Sequence, residues 1–208
     1  MIKAILWDND GVLVDTERLY LQATREIMEA AGRPFTMDDY REYFLRQGIG
    51  AWHLIENATP DEVKRLREAR NDRYSDLLRA HACEIEGVAD VLAQLHGKYT
   101  MGIVTSSRRD HFELIHARCD LLRYFDFVLT ADELPRTKPH PDPYLIAVER
   151  SGHAPDECIA VEDSERGLES ALAAGIRCIV IPTPLTRGGN FARASHVLDS
   201  VGSLPAVL

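Results

Sequence analysis

Short apolar runs at 99–105, 125–130, 158–161 and 177–181 alternate with amphipathic segments through the second half of the chain, and a matching run opens it at 2–7. Runs this short, bounded by turn formers, read as strands buried on both faces. The segments between them, at 88–95, 109–122, 143–150 and 165–174, carry apolar residues at helical spacing, and a weak last strand is expected at 196–198. Strand and helix in alternation predict an α/β fold, a Rossmann-like parallel sheet covered by helices on both faces and joined by right-handed crossovers. In open sheets of this kind ligands bind beyond the carboxyl ends of the strands, where strand order reverses. Polar residues at those ends are therefore the first candidates for a site.

Between 15 and 82 the pattern changes. Tyr20, Ala23, Ile27, Met28 and Ala31 recur at helical spacing, and Gly32 with Pro34 closes that segment. A second helical stretch at 37–45 leads into Gln47-Gly48-Ile49-Gly50-Ala51-Trp52, whose glycines predict a tight loop or a bent helix start. Thr59-Pro60-Asp61-Glu62 then supplies an N-cap, proline at the first helical position and acids in the first turn, opening a charged helix to about residue 80. No strand is predicted in this block. The expected organisation is a core of 1–14 and 83–208 with a helical cap domain, 15–82, inserted after the first strand.

A chain of 208 residues can bury a full core, and its net charge of -9 argues against nucleic acid or an anionic membrane as partner. It does not argue against a small anion, because a metal ion and one or two basic residues reverse the local field. Cys83, Cys119, Cys158 and Cys178 show no metal-ligand spacing and read as reduced thiols. No charged leader or long apolar stretch is present, so a cytoplasmic protein is expected, and the charged surface of the helical block predicts a monomer.

Four predicted strand ends carry polar clusters. The first run stops at Asp8-Asn9-Asp10-Gly11, two carboxylates side by side whose repulsion a magnesium ion would relieve. The second ends in Val104-Thr105-Ser106-Ser107, hydroxyls and backbone N–H groups suited to phosphate oxygens. The third leads to Lys138-Pro139-His140-Pro141-Asp142, where two prolines stiffen the loop that carries a cation, and the fourth ends in Glu162-Asp163-Ser164. Each alone has a plainer explanation, since Ser, Thr and Asp cap helices and most lysines are simply exposed. Together they are the set that phosphoryl transfer needs.

In this combination and order the clusters resemble the four motifs of the haloacid-dehalogenase-like hydrolase superfamily, in its phosphatase branch with a helical cap. The continuation Asp15-Thr16-Glu17 is similar to that of beta-phosphoglucomutases, phosphoglycolate phosphatases and sugar-phosphate phosphatases. The resemblance implies that Asp8 is a nucleophile forming an aspartyl-phosphate and that Asp10 is first acid, then base. It also implies Thr105, the Ser106 backbone N–H and Lys138 as binders of the transferring oxygens. Magnesium would be held by Asp8, the Asp10 carbonyl and Asp163, with Glu162 a direct or outer ligand. The implied activity is hydrolysis of a small phosphorylated metabolite, a sugar phosphate being one possibility. The alternatives are a phosphosugar mutase and a non-catalytic binding protein on the same fold. Asn9 occupies a slot often apolar in relatives, and its side chain is expected to point away from the carboxylates. Mutases carry His where Tyr20 stands and basic residues where this chain has Gln47 to Ala51, which favours the phosphatase. Tyr20, Arg46, Gln47 and Trp52 are the expected specificity residues.

Overall fold

The computed structural model describes residues 1–208. In chain order it runs β1 (Ala4–Trp7), α1 (Glu17–Ala30), α2 (Met37–Tyr40), α3 (Pro60–Ala80), α4 (Val88–Leu95), β2 (Thr100–Val104), α5 (Arg109–His116), β3 (Phe127–Leu129), α6 (Asp142–Ser151), β4 (Cys158–Glu162), α7 (Glu165–Ala173), β5 (Arg177–Val180) and β6 (His196–Val197). Two compact units result, Met1–Asp15 with Cys83–Leu208, and Thr16–Ala82.

The first unit is built on a six-stranded sheet in the order β3-β2-β1-β4-β5-β6, with every pairing parallel. All four side chains of β1 are fully buried, which requires cover on both faces and explains the unbroken apolar run. Burying Ile5 and Leu6 alone contributes about 1.5–3 kcal/mol each. On one face Leu6, Val104, Ala160 and Val180 pack with Tyr144 and Ala147 of α6 and with Leu168 and Ala171 of α7. From β1 the chain builds outward to β2 and β3, then returns to place β4 on the other side of β1. Strand order thus reverses between β1 and β4.

The segment that leaves this unit and the one that re-enters it are paired with each other. Asp15 N–H donates to the Cys83 carbonyl at 2.7 Å and Ile85 N–H to the Leu13 carbonyl at 3.1 Å, with Val14 opposite Glu84 in an antiparallel bridge.

The second unit is wholly helical. Thr59 caps α3, accepting from Glu62 N–H at 3.2 Å while the Glu62 carboxylate accepts from Thr59 N–H at 2.9 Å, as the sequence pattern demands. Where a single helix over 37–45 is expected, α2 gives way to a wide π-type turn over Arg41–Arg46. There Phe44 stacks on Tyr40 at 5.2 Å between ring centres and meets Phe35 and Tyr20 edge-on. Helix α5 also ends earlier than the expected 122. It stops at His116, and the chain then folds back through Cys119 N–H to the His116 carbonyl at 3.4 Å, which carries Leu121 into the core. No helix is long and apolar enough to cross a membrane.

Candidate active site

Asp8 follows the last residue of β1, and Glu162 with Asp163 stands at the end of β4. Trp7 pairs with Val161, so the acidic groups meet where strand order reverses. Backbone bonding extends the register one step, Asp8 N–H to the Val161 carbonyl at 2.9 Å. Thr105 continues β2 on the other side, its N–H bonded to the Leu129 carbonyl at 3.0 Å.

The third cluster arrives by a side chain. Lys138 is buried, and its Nζ donates to Asp8 Oδ1 at 2.8 Å, Glu162 Oε1 at 2.6 Å and the Val104 carbonyl at 2.8 Å. Its loop is anchored by a hydrogen bond from Arg166 to the Lys138 carbonyl and by Ser170 Oγ to the His140 carbonyl at 2.5 Å. Tyr144 Oη donates to the same Glu162 oxygen at 2.6 Å, and its ring lies 5.3 Å from the ammonium. Burial pushes the lysine pKa down, but the charges of Asp8 and Glu162 and the bonds to both outweigh it, leaving Lys138 firmly protonated. Burial and the Glu162 charge push Asp8 up, against the pull of Lys138. Asn9 N–H also donates to Asp8 Oδ1, at 2.8 Å.

Asp10 is the centre of a second group. Its Oδ2 accepts from Ser107 Oγ at 2.8 Å, Thr105 Oγ1 at 3.1 Å and Asn9 Nδ2 at 3.3 Å, and Ser107 N–H in turn donates to Thr105 Oγ1 at 3.0 Å. Here the expectation for Asn9 fails. Its side chain is fully buried and turned toward Asp10, because the amide oxygen has a partner on the inner side, His116 Nε2 at 2.8 Å. Burial pushes His116 down to about 4, against the opposing charge of Asp10, so the imidazole is neutral near pH 7. Of the phosphate-binding residues expected, Thr105 and Lys138 are buried in the site, and Ser106 lies exposed beside them.

Glycines make room for the acids at the end of β4. Gly11 has φ +84°, and a side-chain carbon there would collide with the Asp163 carboxylate. One at Gly167 would overlap the Glu162 carboxylate, so this glycine serves the acid rather than a neighbouring helix. Ser164 caps α7, accepting from Gly167 N–H at 3.2 Å, which leaves Asp163 to the site. Gly167→Ala is expected to cost about 1–3 kcal/mol by overpacking. Thermal melts should record it as a fall of roughly 3–10 °C; an unchanged midpoint would show that Glu162 relaxes freely.

Asp8, Glu162 and Asp163 each offer a carboxylate oxygen, and these oxygens lie within 4.8 Å of one another. An all-oxygen, anionic donor set fits a hard divalent cation such as magnesium.

In the helical unit, Tyr20 meets Tyr74 edge-on at 5.1 Å and carries the Arg70 guanidinium 4.3 Å over its ring, with Trp52 on the same guanidinium at 5.6 Å. Both aromatics therefore pack within the unit. Arg46 and Gln47 both reach Glu42, at 3.1 and 2.7 Å. Residues not singled out from the sequence include Tyr144, His116 and Arg70. Tyr144 follows Pro143 on an ordinary apolar helix face, and only the arrival of Glu162 from 18 positions away gives it a polar partner.

A family model described as haloacid dehalogenase-like hydrolase matches residues 5–181. A phosphorylated carbohydrates phosphatase of Thermotoga maritima is 33% identical over 186 residues, covering 86% of this chain and 84% of that protein. A fructose-1-phosphate phosphatase of Escherichia coli is 29% identical, covering 84% of this chain and 94% of its own length. Among solved structures, CbbY from Rhodobacter sphaeroides in complex with phosphate superposes with a TM-score of 0.81 at 30% identity, over 98% of this chain and 96% of that one.

Proposed function

This chain belongs to the haloacid dehalogenase-like hydrolases, and from that premise we propose that it hydrolyses the phosphomonoester of a small phosphorylated sugar by way of an aspartyl-phosphate on Asp8. The observation that carries the reading is the pairing of a buried Asp8, oriented by Lys138 and Asn9 N–H, with an Asp10 held two residues further on by Thr105 and Ser107. In the first step an Asp8 oxygen bonds to phosphorus as the bond to the sugar oxygen breaks, and Asp10 gives its proton to that oxygen. In the second, Asp10 takes a proton from the water that attacks phosphorus, and inorganic phosphate leaves with Asp8 restored. Thr105, the Ser106 backbone N–H and Lys138 serve the transferring oxygens.

Asp8, Asp163 and the Asp10 carbonyl are the proposed magnesium ligands. Glu162 stands behind them, because its Oε1 is already committed to Lys138 and Tyr144. Bound there, magnesium would offset the repulsion between the carboxylates and the phosphoryl oxygens. The sugar class is supported by the names of the relatives. Tyr20, packed among Arg70 and Tyr74 where mutases carry a histidine, favours hydrolysis over isomerisation.

The test is phosphate release from fructose 1-phosphate, glucose 1-phosphate, xylulose 1,5-bisphosphate, phosphoglycolate and nucleotides, with magnesium and again with EDTA. Release from a sugar phosphate that chelation abolishes and added magnesium restores is the expected result. Isomerised product without net release would replace the phosphatase by a mutase. No turnover of any of them, with magnesium still bound, would leave a binding protein on a hydrolase fold.

A further inference from the structure

The side chains of Asn9 and His116 have no part in the mechanism above, yet both are buried and they lead one after the other to its proton carrier. Their hydrogen-bond direction follows from chemistry. Asp10 Oδ2 already accepts from the Thr105 and Ser107 hydroxyls, and to that accepting oxygen the Asn9 amide presents Nδ2, which turns its Oδ1 to His116. Oδ1 is an acceptor, which places the imidazole hydrogen on Nε2. Nδ1 is then an acceptor itself, and the Cys119 thiol lies 3.5 Å from it. From His116 through Asn9 to Asp10 the donors are aimed the same way, while the Cys119 thiol also has the Ile115 carbonyl at 3.6 Å as an acceptor.

The Asn9 backbone reinforces the arrangement. Its carbonyl accepts from Leu13 N–H at 2.9 Å and Val14 N–H at 3.1 Å, which folds the loop bearing Asp10 back over Asn9. The peptide on either side of Asn9 is therefore tied down, and its side chain has two rotations left to set, which the bonds to His116 and Asp10 fix together. Thr105 and Ser107 grip Asp10 from β2, and Asn9 grips it from its own loop.

The geometry points to His116 as a positioning residue for Asp10, acting through Asn9 to hold the carboxyl in the orientation from which it transfers a proton to the leaving oxygen. This rests on the reading of Asp10 as proton carrier. A misplacement of about 1 Å at a catalytic group can cost about 10²-fold in rate.

A positioning role and a merely structural one separate by leaving group. Phenolate leaves phosphorus poorly without a proton, whereas p-nitrophenolate hardly needs one. In the full-length protein with magnesium, His116→Leu is expected to lower kcat/KM for phenyl phosphate about tenfold and that for p-nitrophenyl phosphate by less than about twofold. His116→Gln, which returns an N–H near Nε2, should recover phenyl phosphate turnover to within about threefold of the parent. Asn9→Leu should reproduce the His116→Leu pattern from the other end of the chain, and it serves where His116→Leu folds poorly. Equal losses for both esters, or no loss for either, would overturn the inference. Asp10→Ala is the control on the underlying reading. It should show the same leaving-group dependence more strongly, and if it shows none, the role of Asp10 itself falls, whatever the His116 variants do.

Discussion

Asp8→Asn is expected to reduce turnover by roughly 10⁴-fold or more, the scale on which removal of a nucleophile acts, while the melting temperature moves by no more than a few degrees. The amide oxygen can still accept from Lys138 Nζ and Asn9 N–H, both of which meet Oδ1, so the surrounding bonds survive. Burial and, after it, the Glu162 charge hold the Asp8 pKa up, and loss of the Asp8 charge removes that repulsion. What the amide lacks is nucleophilicity toward phosphorus. Acid-quenched mass spectrometry of the parent protein after mixing with its best phosphate ester should find a phosphoryl group on the peptide containing Asp8, and none in the variant. Unimpaired hydrolysis by Asp8→Asn would remove this residue from the reaction.

Replacing Lys138 should act on stability and rate together. In Lys138→Met the Asp8 and Glu162 carboxylates face each other across a buried space with no cation between them. Stranding a buried charge in this way typically costs about 3–5 kcal/mol, visible as a lower urea midpoint. Turnover should fall by about 10²–10³, as for loss of one oriented donor. The pH dependence has a definite sign. The folded-state pKa of Asp8 is already raised above its ordinary value by burial and Glu162, and loss of Lys138 raises it further. The folded variant then holds its proton more tightly than the unfolded chain, so the stability deficit should shrink as pH falls. Adding Glu162→Gln should recover part of the lost stability and none of the lost activity. A deficit independent of pH would mean that the carboxylates are not the source of the cost.

Much of this architecture was legible before the coordinates. The unbroken apolar run of β1 follows from the burial of all four of its side chains, the other main strands each keep an apolar stretch, and the site acids stand at the ends of β1 and β4. The Thr59–Glu62 cap is equally local, as is the end of α7 at Ala173, which Gly175 follows two residues later with φ +78°. What was not legible depends on chain segments meeting. Lys138 joins Asp8 across 130 positions, and its burial follows from the acids it reaches rather than from the prolines beside it. The orientation of Asn9 is decided by His116, 107 positions away, on a helix whose early end no local residue announces. The demand for glycine at 167 comes from the Glu162 carboxylate five residues back in the adjoining strand, which spacing alone cannot reveal.

The antiparallel tie formed by Leu13, Val14 and Asp15 with Cys83, Glu84 and Ile85 has a consequence for how such a chain changes over time. The core seals its own doorway. Since the two crossings are bonded to each other within the core, the ends of the inserted block are held together whatever its length or content, and the entropy of closing that long excursion is met at the neck. A block attached in this way can be lengthened, shortened or exchanged without moving Asp8 or Asp10. The inserted block and the residues at the strand ends become separately heritable traits.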